Sequence, residues 1–244
     1  MKLTFLGSGD AFGSGGRFNT CLHVAGDEVS FLVDCGASSM IAMRRFGVDP
    51  NAVQAIFLTH LHGDHFGGLP FLLLDAQFVS RRTTPLTVAG PPGLPERLRA
   101  LQDAMFPRSS ENPRRFELRL VELPTGETTR VGAVAATAFP MDHFSGTPSH
   151  ALRLEAEGRA LTYSGDTAWT EALVEAARGA DLFICEASFM GRRVTGHMDV
   201  ADLLPRLGAI GARRTILTHM GDDMLARPAP DGVEKAHDGL EVVF

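Results

Sequence analysis

The chain has little cysteine, no long apolar run and no excess of positive charge, and each shortage closes a class. Its only cysteines are Cys21, Cys35 and Cys185. Three scattered thiols make neither a disulfide framework nor a Cys-type zinc site, and they point to a reducing compartment, the cytoplasm. No apolar run reaches membrane-spanning length, and Met1–Gly7 is too short an apolar start for a signal peptide. Lys and Arg number 23 against 29 Asp and Glu, a net charge of −6. A broad nucleic-acid surface would be basic, so none is expected. No repeat, low-complexity tract or linker divides the 244 residues, which read as one domain, 1–244. The glycine-rich stretch Gly7–Gly16 has no Gly-Lys-Ser/Thr after it, so it is not a P-loop; close approach of backbone to backbone is the expected meaning.

What the chain does have is Thr59-His60-Leu61-His62-Gly63-Asp64-His65, with three imidazoles and one carboxylate within six residues. The apolar Ala55–Leu58 before it reads as a short buried strand, so the polar groups begin where a strand gives way to a loop. Four such groups turned inward are costly to bury unless something pairs with them. A metal ion does so, and imidazole and carboxylate suit zinc, manganese or iron.

Other segments end in the same way. Lys2–Leu6 reads as a strand, Thr20–Ala25 and Val29–Asp34 as a hairpin, Ala37–Phe46 as a helix with Met40, Ile41, Met43 and Phe46 inward, and Leu69–Phe78 as another helix. Leu86–Ala89 is a short strand; Leu94, Leu98, Leu101 and Met105 mark an amphipathic helix. Residues 107–115 form a polar loop, and β-type segments follow at 116–122, 127–138 and 150–156. Ala160–Ser164 precedes a helix with Trp169, Leu173, Val174 and Ala177 on one face. Asp181–Cys185 is a strand, Val200–Leu207 a helix with Asp199 as N-cap, Thr215–Leu217 a strand and Leu240–Phe244 an edge strand. Five strands thus run into Asp34, His60, Asp166, Glu186 and His219. Such tips converge at one sheet edge in layered α/β folds. Candidates to complete a metal site with His60, His62, Asp64 and His65 are His143, Asp166 and His219.

With His60-x-His62-x-Asp64-His65 followed in order by His143, Asp166 and His219, the sequence resembles the metallo-β-lactamase-fold hydrolases. The resemblance implies an α/β chain folded as a four-layer αβ/βα sandwich, two mixed sheets flanked by helices. It implies that His60, His62 and His143 bind one ion, that Asp64, His65 and His219 bind a second, and that Asp166 bridges them. Asp34 and Glu186 then serve as hydrogen-bond acceptors for ligand imidazoles. A water held between two such ions, most naturally zinc, loses its proton near neutral pH. Asp166 rather than Cys at the bridging place tells against a zinc β-lactamase, and His62 rather than Glu against the diiron oxygen-reducing branch. Leu58–Pro70, Glu186-Ala187-Ser188-Phe189 and Gly196-His197-Met198 are similar to the ribonuclease Z-like phosphodiesterases. That likeness makes Asp64 and His197 the catalytic residues, His197 steadying phosphoryl oxygens or protonating the leaving group, and it implies a homodimer.

Ribonuclease Z enzymes carry a long tRNA-gripping arm between the third histidine and the bridging aspartate. Here His143 and Asp166 stand only 23 positions apart. The expected substrate is therefore a small or cyclic phosphodiester, and tRNA is not expected as a partner. Arg192, Arg193 and His150 are candidate substrate contacts. The alternatives are a lactone or thioester hydrolase, a ribonuclease Z-type endonuclease, or a metal-binding protein without catalysis.

Overall fold

A computed structural model describes residues 1–244. The first sheet contains β1 (Lys2–Gly7), β2 (Cys21–Ala25), β3 (Ser30–Val33), β4 (Ala55–Phe57), β5 (Leu86–Gly90), β6 (Leu118–Glu122) and the last strand, β14 (Glu241–Val243). The second contains β7 (Thr128–Val131), β8 (Val134–Pro140), β9 (His150–Ala156), β10 (Arg159–Tyr163), β11 (Leu182–Glu186), β12 (Thr215–Thr218) and β13 (Glu234–Lys235). Their orders are β14-β1-β2-β3-β4-β5-β6 and β13-β12-β11-β10-β9-β8-β7. Each sheet is mixed: β3–β6 and β10–β13 are parallel, and the other pairs are antiparallel.

Side chains alternate across each strand, which gives each sheet two buried faces. Phe5, Phe31, Val33 and Phe57 meet Leu152, Leu161, Tyr163 and Ile184 between the sheets. Burying each of these large side chains stabilises the fold by about 1.5–3 kcal/mol. On the outer face of the first sheet, Leu32, Ile56 and Val88 pack with Met43, Leu72 and Leu98. Those residues lie on α1 (Ser39–Arg45), α3 (Leu69–Phe78) and α4 (Leu94–Met105); the short α2 spans Gly63–Phe66. On the outer face of the second sheet, Phe183 and Leu217 pack with Leu173, Leu203 and Ile210. Here the helices are α5 (Ala172–Ala177), α6 (Val200–Leu203), α7 (Leu207–Ile210) and α8 (Asp222–Ala226). The result is the expected αβ/βα sandwich. No helix is long and apolar enough to cross a membrane.

Several local expectations change. The 127–138 segment is two strands, because Gly132 takes a positive φ of 58° and reverses the chain. Ile41 is 64% exposed, while Ala42 and Met43 are buried. Trp169 lies before α5: the Thr167 N–H is committed to Glu186 and the Ala168 N–H to the Asp142 carbonyl, so the helix starts later. The helix expected over Val200–Leu207 breaks into α6, a 3-10 turn at Leu204–Arg206 and α7, since Pro205 has no N–H to continue it. Asp199 does cap α6, accepting from the Ala201 N–H at 2.9 Å.

Candidate metal centre

The parallel strands β3, β4, β10, β11 and β12 carry their C-terminal ends to one edge of the sandwich. Asp34 follows β3, His60 lies three residues past β4, Asp166 three past β10, Glu186 ends β11 and His219 follows β12. Asp34 (φ 59°) and His219 (φ 55°) are both left-handed, a conformation costing about 1–3 kcal/mol for a residue with a Cβ, and such strain gathers at functional sites. The loop after β3 clasps α2: the Cys35 N–H donates to the His65 carbonyl at 2.6 Å, and the Gly68 N–H donates to the Cys35 carbonyl at 2.8 Å. Gly36 has to be glycine, because a Cβ there would lie 2.1 Å from the Asp64 carbonyl oxygen.

Within this frame the histidines and aspartates form two donor groups. His60, His62 and His143 make one; Asp64, His65, Asp166 and His219 make the other. Asp166 faces both. Its Oδ2 lies 3.9 Å from His60 Nε2 and 4.0 Å from His143 Nε2, and its Oδ1 lies 3.2 Å from His65 Nε2 and 3.4 Å from His219 Nε2. Asp64 Oδ2 is 3.2 Å from His65 Nε2 and 3.3 Å from His219 Nε2.

These residues fit a pair of cations. His60 Nε2 and Asp166 Oδ1 are buried with no hydrogen-bond partner. His62 Nδ1 and His143 Nε2 face each other at 3.0 Å. Most buried polar atoms in a folded protein are hydrogen-bonded, and of the unpartnered atoms here His60 Nε2 and Asp166 Oδ1 lie among converging imidazoles and carboxylates. A cation is the partner that a convergence of imidazole nitrogens and carboxylate oxygens suits.

Asp34 orients one histidine of each group. Its Oδ2 accepts from His65 Nδ1 at 2.7 Å. Its Oδ1 takes the Thr59 N–H at 2.8 Å, and the Thr59 hydroxyl donates to Oδ2 at 2.9 Å. That hydroxyl in turn accepts from His60 Nδ1 at 3.1 Å. Both Nε2 atoms are thereby aimed inward. Glu186 does the same work on the other wall. Oε1 pairs with His197 Nδ1 and accepts the Ser188 hydroxyl at 2.7 Å, and Oε2 accepts the Thr167 N–H at 2.6 Å. Thr59, Thr167 and Ser188 are parts of the site that no spacing in the sequence marks.

The electrostatics separate the two groups. Burial, then the charge of His65, pushes His60 well below an ordinary imidazole, and burial with His143 lowers His62. Burial opposes protonation of His219 too, but Asp166 and Asp64 outweigh it and raise it to about 9. His65 is raised well above its usual range by Asp166, Asp64 and Asp34 against burial. His197 is raised as well, Glu186 overcoming burial.

His62, Asp64, His143, Asp166, His197 and His219 line a cleft of about 760 Å³. Arg192 lines it too, its guanidinium 5.0 Å above the Phe189 ring. Two expected substrate contacts lie elsewhere. Arg193 forms a two-pronged pair with Asp202 at 3.1 and 2.8 Å and is not in the cleft wall. His150 is 1% exposed, since it begins a central strand, and its Nε2 meets the Thr125 hydroxyl at 2.8 Å. The glycine-rich loop, not expected at the site, supplies Asp10 and Phe12 to the cleft, and Asp222 and Asp223 of α8 face in beside them.

A family model described as beta-lactamase superfamily domain matches residues 30–220. The ribonuclease Z of Geobacillus kaustophilus is 29% identical over 278 residues of alignment, which covers 90% of this chain and 88% of that protein. Among solved structures, the short form of human tRNase Z superposes with a TM-score of 0.80 at 25% identity, over 100% of this chain and 99% of that one. A diphosphatase from the PhnP family superposes with a TM-score of 0.78 at 21% identity, over 100% and 97%.

Proposed function

The chain belongs to the beta-lactamase superfamily, and on that premise we propose that it is a dinuclear metal-dependent phosphodiesterase acting on a small or cyclic phosphodiester. The observation that carries the reading is Asp166, whose two oxygens face two separate donor groups. His60, His62 and His143 would hold one ion, and Asp64, His65 and His219 the other, with Asp166 shared. Two divalent ions, zinc by the fit of the donor set, would supply a nucleophile at neutral pH and offset the charge that develops on a phosphoryl oxygen.

The chain's own groups do the rest. Asp34 and Thr59 engage the Nδ1 atoms of His65 and His60, which would leave both Nε2 atoms to serve as metal ligands. His197 lines the cleft with Nδ1 engaged by Glu186, so Nε2 is free to hand a proton to the departing oxygen, a role worth about 10²–10⁴-fold in rate. Arg192 presents a cation where an anionic diester enters.

The preference for a small substrate rests on the stretch between His143 and Asp166. The β9–β10 hairpin fills it, leaving no inserted arm. The alignment to the Geobacillus kaustophilus ribonuclease Z runs over 278 residues, more than this chain's 244, so that relative carries added residues. A second reading, a ribonuclease Z-type RNA endonuclease, is favoured by the relatives' names. The zinc-loaded protein, assayed with and without chelator on 2′,3′-cyclic nucleotides, activated diesters, lactones, thioesters and a tRNA precursor, separates the readings. Chelator-sensitive turnover of small diesters supports the proposal. Faster turnover of the tRNA precursor or of a lactone replaces it.

A further inference from the structure

His143 reaches the site differently from its partners. It lies past the end of β8, its side chain 6% exposed, and its ring is gripped by a loop from a distant part of the chain. His143 Nδ1 donates to the Gly196 carbonyl at 2.8 Å. Gly196 has φ 77°, and a Cβ there would lie 3.0 Å from that same Nδ1. The contact therefore needs both the carbonyl and the missing side chain. On its other side, the backbone leading to His143 is held by Thr167, whose hydroxyl accepts the Asp142 N–H at 3.0 Å. Thr167 is held in turn through its N–H by Glu186 Oε2, and Glu186 Oε1 holds His197, the residue next to Gly196. The bonds close a ring: Glu186, Thr167, Asp142–His143, Gly196–His197 and back to Glu186.

We propose that Gly196 and Thr167 are positioning residues for His143, fixing its proton on Nδ1 and its Nε2 toward the metal site. The loop that carries His197 and Arg192 and the occupancy of the His60–His62–His143 site are then linked. The inference rests on the metal reading above. Coupling is reciprocal: whatever reshapes the 189–199 loop changes affinity for that ion, and that ion steadies the loop.

The test uses zinc titration against a competing chelator, together with the ring ¹⁵N spectrum of the metal-free protein. In wild type, His143 should show a protonated Nδ1, and two zinc equivalents should bind. Gly196→Ala should lose that tautomer signature. It should weaken one equivalent about 10- to 100-fold, the usual cost of removing a ligand's outer hydrogen bond, while the other equivalent holds. Thr167→Val keeps the side-chain shape, guards against a misfolded Gly196 variant, and should weaken the same equivalent. Unchanged zinc affinity in both folded variants overturns the proposal, as does a wild-type His143 protonated on Nε2. Should wild type take up no zinc, the functional reading fails, and the tautomer measurement still decides the positioning role.

Discussion

Asp34→Asn separates orientation of the histidines from mere filling of space. Asparagine matches aspartate in shape and tolerates the left-handed backbone that residue 34 adopts. It cannot match the hydrogen bonds. The wild-type carboxylate accepts from the Thr59 N–H, the Thr59 hydroxyl and His65 Nδ1. With the amide oxygen kept on the Thr59 N–H, the amide nitrogen must face His65 Nδ1 at the 2.7 Å position. It is a donor, so His65 must give up the Nδ1 proton and carry it on Nε2, the atom turned toward Asp64 and Asp166. The Thr59 hydroxyl loses its nearer acceptor, Oδ2 at 2.9 Å, and keeps only Oδ1 at 3.2 Å, which loosens the arrangement that fixes His60. Flipping the amide sets N–H against N–H at Thr59. Each zinc equivalent should therefore bind about 10- to 100-fold more weakly, about 1.4–2.8 kcal/mol per ion. Competition with a chelator, read alongside circular dichroism to establish folding, measures it. Affinities within twofold of wild type for both ions would refute the reasoning.

Three further outcomes follow from the geometry. Gly36→Ala forces a Cβ to within 2.1 Å of the Asp64 carbonyl; a loss of at least about 2 kcal/mol should lower the metal-free Tm by about 4–8 °C, and an unchanged Tm would show that α2 moves freely. His197→Ala should cut kcat on a diester with a poor leaving group by about 10²–10⁴-fold while zinc content stays at the wild-type level; equal loss on good and poor leaving groups argues against proton donation. His150 is pushed down to about 4 by burial, below the ordinary ~6.5 of the unfolded chain. Its neutral form is thus what the fold accommodates. Its contribution is fully present above pH ~6.5 and declines as pH falls toward 4, by up to about 3 kcal/mol. Urea unfolding of metal-free His150→Gln should show a flatter pH dependence across that window, and an identical slope would contradict it.

The site was legible because its chemistry is dense in sequence at one place and periodic elsewhere. His60, His62, Asp64 and His65 share one loop, and Asp34, Asp166, Glu186 and His219 each stand at the end of an apolar run. The fold class followed from the family resemblance that those residues carry. What stayed hidden was set by tertiary contacts. Thr59, Thr167 and Ser188 act through hydroxyls and two backbone N–H groups, roles that leave no pattern in a sequence. The glycine-rich loop that reaches the cleft is shaped by Asp10, which accepts from the N–H groups of Phe12 and Ser14 at 3.1 and 3.0 Å, and by Asp222, which accepts from the Gly15 N–H at 3.1 Å. Arg193 looked as available as Arg192, and only Asp202, nine residues on, decides between them. β13 and α8 are too short to carry a periodic signal.

Zinc stoichiometry of the wild-type chain and of Asp166→Ala, measured by equilibrium dialysis and elemental analysis, probes the shared carboxylate most directly. Two zinc ions per wild-type chain and no tightly held pair in the variant are the predicted results. A wild-type chain that holds one ion or none, or a variant that still holds two tightly, would contradict the account.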